Sequence, residues 1–376
     1  MVENNDYFQF IFDWYSRTGL RRSSTFFYKL VSLYILFPVL LIFYFMVIFN
    51  LHYNHNDIFD FAEIFSSISA FGNLVMRKTL ILKYGSLWEE IFEEHSLFWT
   101  YDLFGNDAGD QFRKIMDFSI SIIKMFWGGG LVSTLVHLLT PYFDKTLLLP
   151  HPCWIPRNNF VLRVIIYALE GIFYTEVIFL IGVFDGFYLL MCSNLKIQFS
   201  LLSKAVHSVQ LGTNPTKSHE EVCWKKLKEY SQYHKFLLRM HKKLNKIFSE
   251  FFVFQYFLTM GGTCLSLFVI FDKLTSSAQM AKNIIYIILL NSLLMITYIP
   301  AGEIEIEADT LTAEIYNLDW YNARDLKICK FVLFWLTQAQ TPVQMTGAGI
   351  VKVNRPVMLQ IHRIAYSVST ALTGLK

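Results

Sequence analysis

Apolar residues in this chain gather in blocks separated by polar stretches, and block length sets the elements to expect. After Lys29 come 27 residues free of Asp, Glu, Lys and Arg. Residues 251–271 form an uncharged run of 21, and residues 283–302 one of 20. A helix crossing the hydrocarbon core needs about 20 apolar residues. Spans are therefore predicted at about 30–51, 118–139, 251–271 and 283–302, the second despite Lys124. Three further blocks need an argument about charge. Residues 58–76 carry Asp60 and Glu63, three apart and so on one helical face, where they stay hydrated near an interface or attract cations to a vestibule. Residues 161–192 contain Glu170, Glu176 and Asp185, which at membrane depth must face a partner or water. The last block has 12 uncharged residues after Arg363. Its Ser367, Ser369, Thr370 and Thr373 suit a helix facing protein or water, which makes it a candidate pore lining. The pattern predicts an all-α polytopic membrane protein with seven spans.

The connecting stretches add detail. Residues 5–16 predict a short aromatic helix at the membrane interface. Pro38 is expected to kink the first span without ending it. Glu89, Glu90, Glu93 and Glu94 read as a solvated helical face. Gly128, Gly129 and Gly130 cost helix stability, so they point to close helix approach or a ligand-sized hollow. Residues 140–159, proline-stiffened and carrying Trp154, suit a lid. Residues 193–246 split into two polar helical patterns. Arg17, Arg21, Arg22 and Lys29 precede the first span and no basic residue follows it before Arg77, which predicts a cytoplasmic N-terminus. Seven spans then place the C-terminus outside.

Composition changes the picture little. The chain is 54% hydrophobic and 17% charged with a mean hydropathy of +0.37, above soluble globular usage. A net charge of +3 without basic stripes gives no support for nucleic acid binding. The 5 cysteines are scattered and make no CxxC pair, so neither a disulfide framework nor a metal site is expected. His207, His219, His234 and His241 are expected on solvated surface. No hydrolase, phosphate-loop or calcium-loop motif occurs, and Gly347 with Gly349 lacks the third glycine and preceding strand of a dinucleotide site, so no enzyme activity and no cofactor are expected. A G-protein-coupled receptor would want an Asp-Arg pair ending the third span, an Asn-Pro pair in the seventh and a cytoplasmic tail. Transporters often show internal repeats, and none is visible. A ligand-gated channel remains.

The C-terminal quarter carries a more specific signal. Ile315 and Tyr316, then Trp320 and Tyr321, then Gln340, Pro342 and Val343, and finally Tyr366 and Ser367 form an ordered set that resembles the insect odorant receptors. The terminal Gln-Phe of the related gustatory receptors is not present. The resemblance implies an odorant-tuning subunit in the plasma membrane of an olfactory neuron dendrite. It would bind a small hydrophobic odorant and open a non-selective cation channel with co-receptor subunits in a hetero-oligomer, expected to be a tetramer. On this reading residues 1–300 form the ligand-binding bundle, with cytoplasmic helical extensions at about 194–247. Residues 301–342 form a cytoplasmic anchor and residues 343–376 the pore-lining helix. Tyr316, Trp320 and Tyr321 are candidates for the subunit interface.

A ligand pocket is expected in the outer half, between spans 2, 3, 4 and 6, where small residues and aromatics coincide. Its candidate residues are Phe61, Phe65, Ser69, Gly129, Ser133, His137, Tyr167, Tyr174 and Ile288. Lys124 and Glu176 fall at similar depth, so an ion pair between them is expected. A gate is expected on one face of the last helix, formed by Val368, Ala371, Leu372 and Leu375.

Overall fold

The computed structural model describes residues 4–21, 23–53, 58–143, 149–151, 153–155, 159–209, 217–271 and 277–374. Among them the chain is helical almost throughout. Helix α1 is Asn4–Arg17; α2 (Phe26–Lys29) continues through a π-helical stretch, Leu30–Leu36, into α3 (Phe37–Tyr53). Then come α4 (Ile58–Glu94), α5 (Asn106–Phe143), α6 (Phe160–His207), α7 (Lys217–Phe271), α8 (Ser277–Tyr316) and α9 (Leu326–Ala339). A hairpin of β1 (Thr346–Gly347) and β2 (Val351–Lys352) leads into α10 (Arg355–Gly374). The end where α4, α6 and α8 begin is called upper below, and the end holding α9 lower.

Among the described residues, five stretches are long and apolar enough to cross a membrane: Phe26–His52, Asn106–Leu139, Phe160–His207, Lys217–Phe271 and Gln279–Asn322. The fourth expected span therefore stands on hydropathy after all. Helices α4 and α10 are outside this set because their polar residues interrupt every apolar window. On the upper half Tyr34, Ile42, Phe45, Leu131, Leu135, Phe160 and Val164 are all exposed, an apolar surface that a water-soluble chain would not leave open.

Local sequence explains the breaks. Pro38 has no N–H and its ring crowds the carbonyl one turn back, and the turn before it is the π-helical stretch. The first span is thus carried past its proline by a wider turn. Helix α6 starts at Asn159, whose side chain accepts from the Val161 and Leu162 backbone amides. Helix α4 bends at Tyr84, where the backbone leaves helical values (φ −109, ψ 16).

Several expectations change. Helix α1 does not spread its apolar face on lipid: Tyr7, Phe8, Ile11 and Tyr15 are buried in the core. The acidic run in α4 is only half solvated, since Glu90 and Glu94 pair with Lys243 of α7 at 3.0 and 2.8 Å. Glu176 pairs with Lys78 of α4, while Lys124 points outward from α5 and is exposed. Similar depth does not bring the two charges together, because Lys124 faces away from α6. Of the three glycines, Gly128 and Gly129 border open space and only Gly130 packs closely, its missing Cβ position lying 3.0 Å from Ile178.

Below the apolar run of α7, the lower parts of α6, α7 and α8 with α9 form a packed bundle around Leu195, Phe199, Leu202, Leu237, Leu311 and Val332. Trp335 lies inside it and donates its indole N–H to His234 Nδ1 at 3.0 Å. His234 and His241, expected on the surface, are buried, and desolvation holds each down to about 4. A histidine depressed in the folded state binds its proton more readily when unfolded. Stability is therefore full above about pH 6.5 and falls as pH drops toward 4. For His234 the loss amounts to roughly 3 kcal/mol. The melting midpoint of the detergent-solubilised protein should fall across that window, and His234→Gln should flatten part of the fall; an unchanged slope would remove His234 from the effect.

The hairpin explains Gly347 and Gly349. Ala348 and Gly349, the central residues of the turn that the Ile350 amide closes onto the Gly347 carbonyl at 2.9 Å, both have positive φ, 50 and 71, the backbone of a primed hairpin turn. At Gly347 a Cβ would come within 2.9 Å of Val253 Cγ2 and 3.1 Å of its backbone nitrogen. The hairpin is pinned to α7 by the Thr346 amide donating to Asn245 Oδ1 and the Ala348 amide to Ser249 Oγ, both at 2.8 Å.

Candidate ligand cavity and terminal helix

Ser66, Ser69, Ala70 and Asn73 recur at helical spacing and form one stripe of α4. Gly130, Ser133, Thr134 and His137 form another on α5. Opposite them α6 presents Tyr174, Val177, Ile178 and Ile181, and α8 presents Tyr286, Leu289, Leu290 and Leu293. Two helices lined by small residues thus leave a hollow between themselves and two lined by bulky ones. Its volume is about 170 Å³. An apolar cavity of roughly 150 Å³ holds benzene, so this one suits a molecule of volatile size.

The floor is a buried ion pair. Arg77 of α4 reaches Asp185 of α6 through Nε at 3.0 Å and Nη2 at 2.9 Å, with the two side chains 1% and 5% exposed. Nη1 of Arg77 also donates to Asn73 Oδ1 at 2.9 Å, and the guanidinium lies 4.7 Å from the Phe251 ring centre. At the upper end Lys282 of α8 bridges to Glu63 of α4 at 2.8 Å and to the Pro150 carbonyl at 3.3 Å. Glu63 therefore serves a partner inside the bundle; the Asp60 side chain lies outside the described residues. His151, in the segment expected to act as a lid, inserts between α4 and α6. It bonds to Ser67 Oγ at 2.6 Å and to the Tyr174 hydroxyl.

Four of the nine expected ligand residues line the cavity: Ser69, Ser133, His137 and Tyr174. Five do not. Gly129 faces open space, and Ile288 is exposed on the outer face of α8. Phe65 packs over Gly261 and stacks with Phe61 at 6.2 Å. Tyr167 donates to the Leu138 carbonyl at 2.6 Å. The cavity lies between the four expected helices, but the residues facing it are shifted by one from Gly129 and by one or two from Ile288. Missed were Arg77, His151, Lys282 and Tyr286. The two cations had a signal, since each stands at the edge of an apolar block with no partner nearby in sequence. Gly262 makes room for Tyr286: a Cβ there would lie 2.9 Å from its hydroxyl and 2.7 Å from Leu290 Cδ1.

Helix α10 packs Ile361, Ala365 and Ser369 inward. Leu372 continues that inner face, against Ala62, Phe268 and Val269. It therefore does not share a free surface with Val368 and Ala371, which are exposed; Leu375 lies outside the described residues. Helical spacing groups all four, but the boundary between packed and free faces runs between Ala371 and Leu372. Of the interface candidates, Tyr316 and Tyr321 are exposed, whereas Trp320 is partly buried against the core.

Comparison with known proteins gives a consistent result. The fold is similar to that of the insect olfactory receptor OR5 from Machilis hrabei, at 14% identity and a TM-score of 0.75, with 99% of this chain and 100% of that chain covered. The same receptor in complex with eugenol gives 13% identity and a TM-score of 0.76 over the same shares. No curated protein sequence matches significantly. The family model described as 7tm Odorant receptor matches residues 61–366. With that match running over most of its length, the chain belongs to the 7tm odorant receptor family.

Proposed function

We propose that this chain is an odorant-tuning subunit of a ligand-gated, non-selective cation channel in the plasma membrane. It crosses the membrane seven times, with a cytoplasmic N-terminus and an external C-terminus, and it assembles with odorant co-receptor subunits, four chains around a pore. The observation that carries the reading is the cavity of volatile size between α4, α5, α6 and α8. An odorant that binds the open state better than the closed one shifts the population by its differential affinity. The division expected at residue 300 falls inside α8, so cavity and anchor share one continuous helix. Arg355 at the start of α10 meets Glu303 of α8, which Lys196 of α6 also holds at 2.8 Å. Movement of α6 and α8 around a ligand is thereby transmitted to the foot of the terminal helix. Exposed Tyr316 and Tyr321, with Leu326 and Phe334 of α9 also exposed, supply the anchor's contacts with neighbouring subunits. The test is to record odorant-panel currents from cells expressing this chain with and without the co-receptor. Direct cation current that needs both chains is expected, and coupling to a G protein instead overturns the reading.

The gate follows from the free face of α10. An apolar constriction closes a pore by dewetting, and Val368 with Ala371 are the described apolar residues of that face near its upper end. Val368→Ser should raise odorant-independent current several-fold relative to surface expression. Leu372→Ser should instead lower surface expression, because Leu372 is packed. The reverse pattern would put Leu372 in the lumen.

A further inference from the structure

Around His137 and Tyr174 the polar end of the cavity has a defined hydrogen-bond direction. His137 Nδ1 lies 2.9 Å from the Ser133 carbonyl oxygen. A carbonyl only accepts, so Nδ1 carries the proton and the neutral ring keeps a lone pair on Nε2. Among the described residues no group donates to that nitrogen.

The neighbouring relay points the same way. Ser67 Oγ lies 3.1 Å from the Glu63 carbonyl and 2.6 Å from His151 Nδ1, and His151 Nε2 meets the Tyr174 hydroxyl. One arrangement of protons keeps all three bonds. Tyr174 donates to His151 Nε2, His151 Nδ1–H donates to Ser67, and Ser67 donates to the Glu63 carbonyl. The reverse arrangement loses the last bond. Tyr174 therefore turns only lone pairs to the cavity. The rings of His137, His151 and Tyr174 lie 5.4–5.7 Å apart, so these acceptors form one cluster. Lys282, the cation at this end, is engaged by Glu63 and Pro150. The hydroxyls of Ser69 and Tyr286 are neighbours on the wall and face each other; each can accept as well as donate.

We propose that the ligand is an alcohol or a phenol whose hydroxyl donates to His137 Nε2 and whose apolar body lies along Ile178, Ile181, Leu289 and Leu293. This deepens the odorant-receptor reading and rests on it. An ether, ketone or ester of equal size displaces cavity water yet offers His137 no proton. The buried acceptor then stays unpaired, and sites with such a group discriminate strongly against the analogue that cannot satisfy it. Hydrocarbons fail for the same reason.

The test uses matched pairs on cells expressing this chain with the co-receptor: linear alcohols of four to ten carbons, benzyl alcohol and phenols, each against its O-methyl ether. The corresponding ketones, esters and hydrocarbons complete the panel. Active alcohols or phenols should be at least roughly tenfold more potent than their ethers. His137→Leu should bring the two within about twofold of each other. His137→Gln, whose amide oxygen can accept, should restore part of the preference. Equal potency of ethers in the parent, selectivity retained in His137→Leu, or silence from every alcohol and phenol while an ether, ketone, ester or hydrocarbon still acts would overturn the inference. Silence from the whole panel, while a direct co-receptor agonist still opens the channel, would strike instead at the receptor reading beneath it.

Discussion

Replacing Asp185 by Ala should lower the melting midpoint of the detergent-solubilised protein by roughly 10 °C and cut surface expression. The Arg77 guanidinium is 1% exposed, and losing its carboxylate leaves a buried charge without its counterion. Removing one member of such a pair costs about 3–5 kcal/mol, whereas replacing both by apolar residues of similar size is often neutral. At about 2–4 °C per kcal/mol the expected shift follows. The double variant Arg77→Met with Asp185→Leu should recover most of the stability. A single variant that melts with the parent would show that Arg77 finds water or another acceptor. Because Arg77 also forms the cavity floor, the double variant should alter odorant preference even where stability returns.

Gly182→Val should be nearly as damaging, for a steric reason. The indole of Trp127, on α5, occupies the place where a Cβ on Gly182 of α6 would lie. Trp127 cannot simply swing aside, since Phe10 and Trp14 of α1 stand at ring distances of 5.4 and 5.0 Å and Phe179 at 6.4 Å. Overpacking typically costs about 1–3 kcal/mol, and here relief means dislodging α1 as well. Surface expression should fall several-fold and should be partly rescued by Trp127→Leu, which empties the space. Parental expression of the single variant would mean that α1 is not tightly seated.

What the sequence revealed follows from which physical constraints leave a local trace. Long apolar runs announce α3, α5, α7 and α8 because a bilayer demands length. The ordered set from Ile315 to Ser367 carried the family, and the meeting of helices around Ser69, Ser133, His137 and Tyr174 could be placed from small residues and aromatics. Rotation about each helix axis leaves a weaker trace in a membrane protein, since lipid-facing and core-facing positions are both apolar. That is why Gly129 stood in for Gly130, and why Leu372 was grouped with Val368. Ion-pair partners leave none at all. Lys78 is 98 positions from Glu176 in sequence, and only the approach of α4 to α6 shows that it, not Lys124, is the partner. The burial of His234 depends likewise on α9 folding back over α7, which polar composition in residues 193–246 conceals.

The central claim is that occupancy of the cavity between α4, α5, α6 and α8 opens the channel. Its most direct test is the odorant concentration–response curve of Ser133→Phe beside that of Gly129→Phe, each co-expressed with the co-receptor and normalised to surface expression. Ser133 lines the cavity, while a side chain at Gly129 meets open space. The account predicts that filling the cavity at Ser133 abolishes or reshapes the response to every active odorant, and that Gly129→Phe leaves potency within about threefold of the parent, as expected of a surface substitution. Unchanged tuning in Ser133→Phe would contradict it.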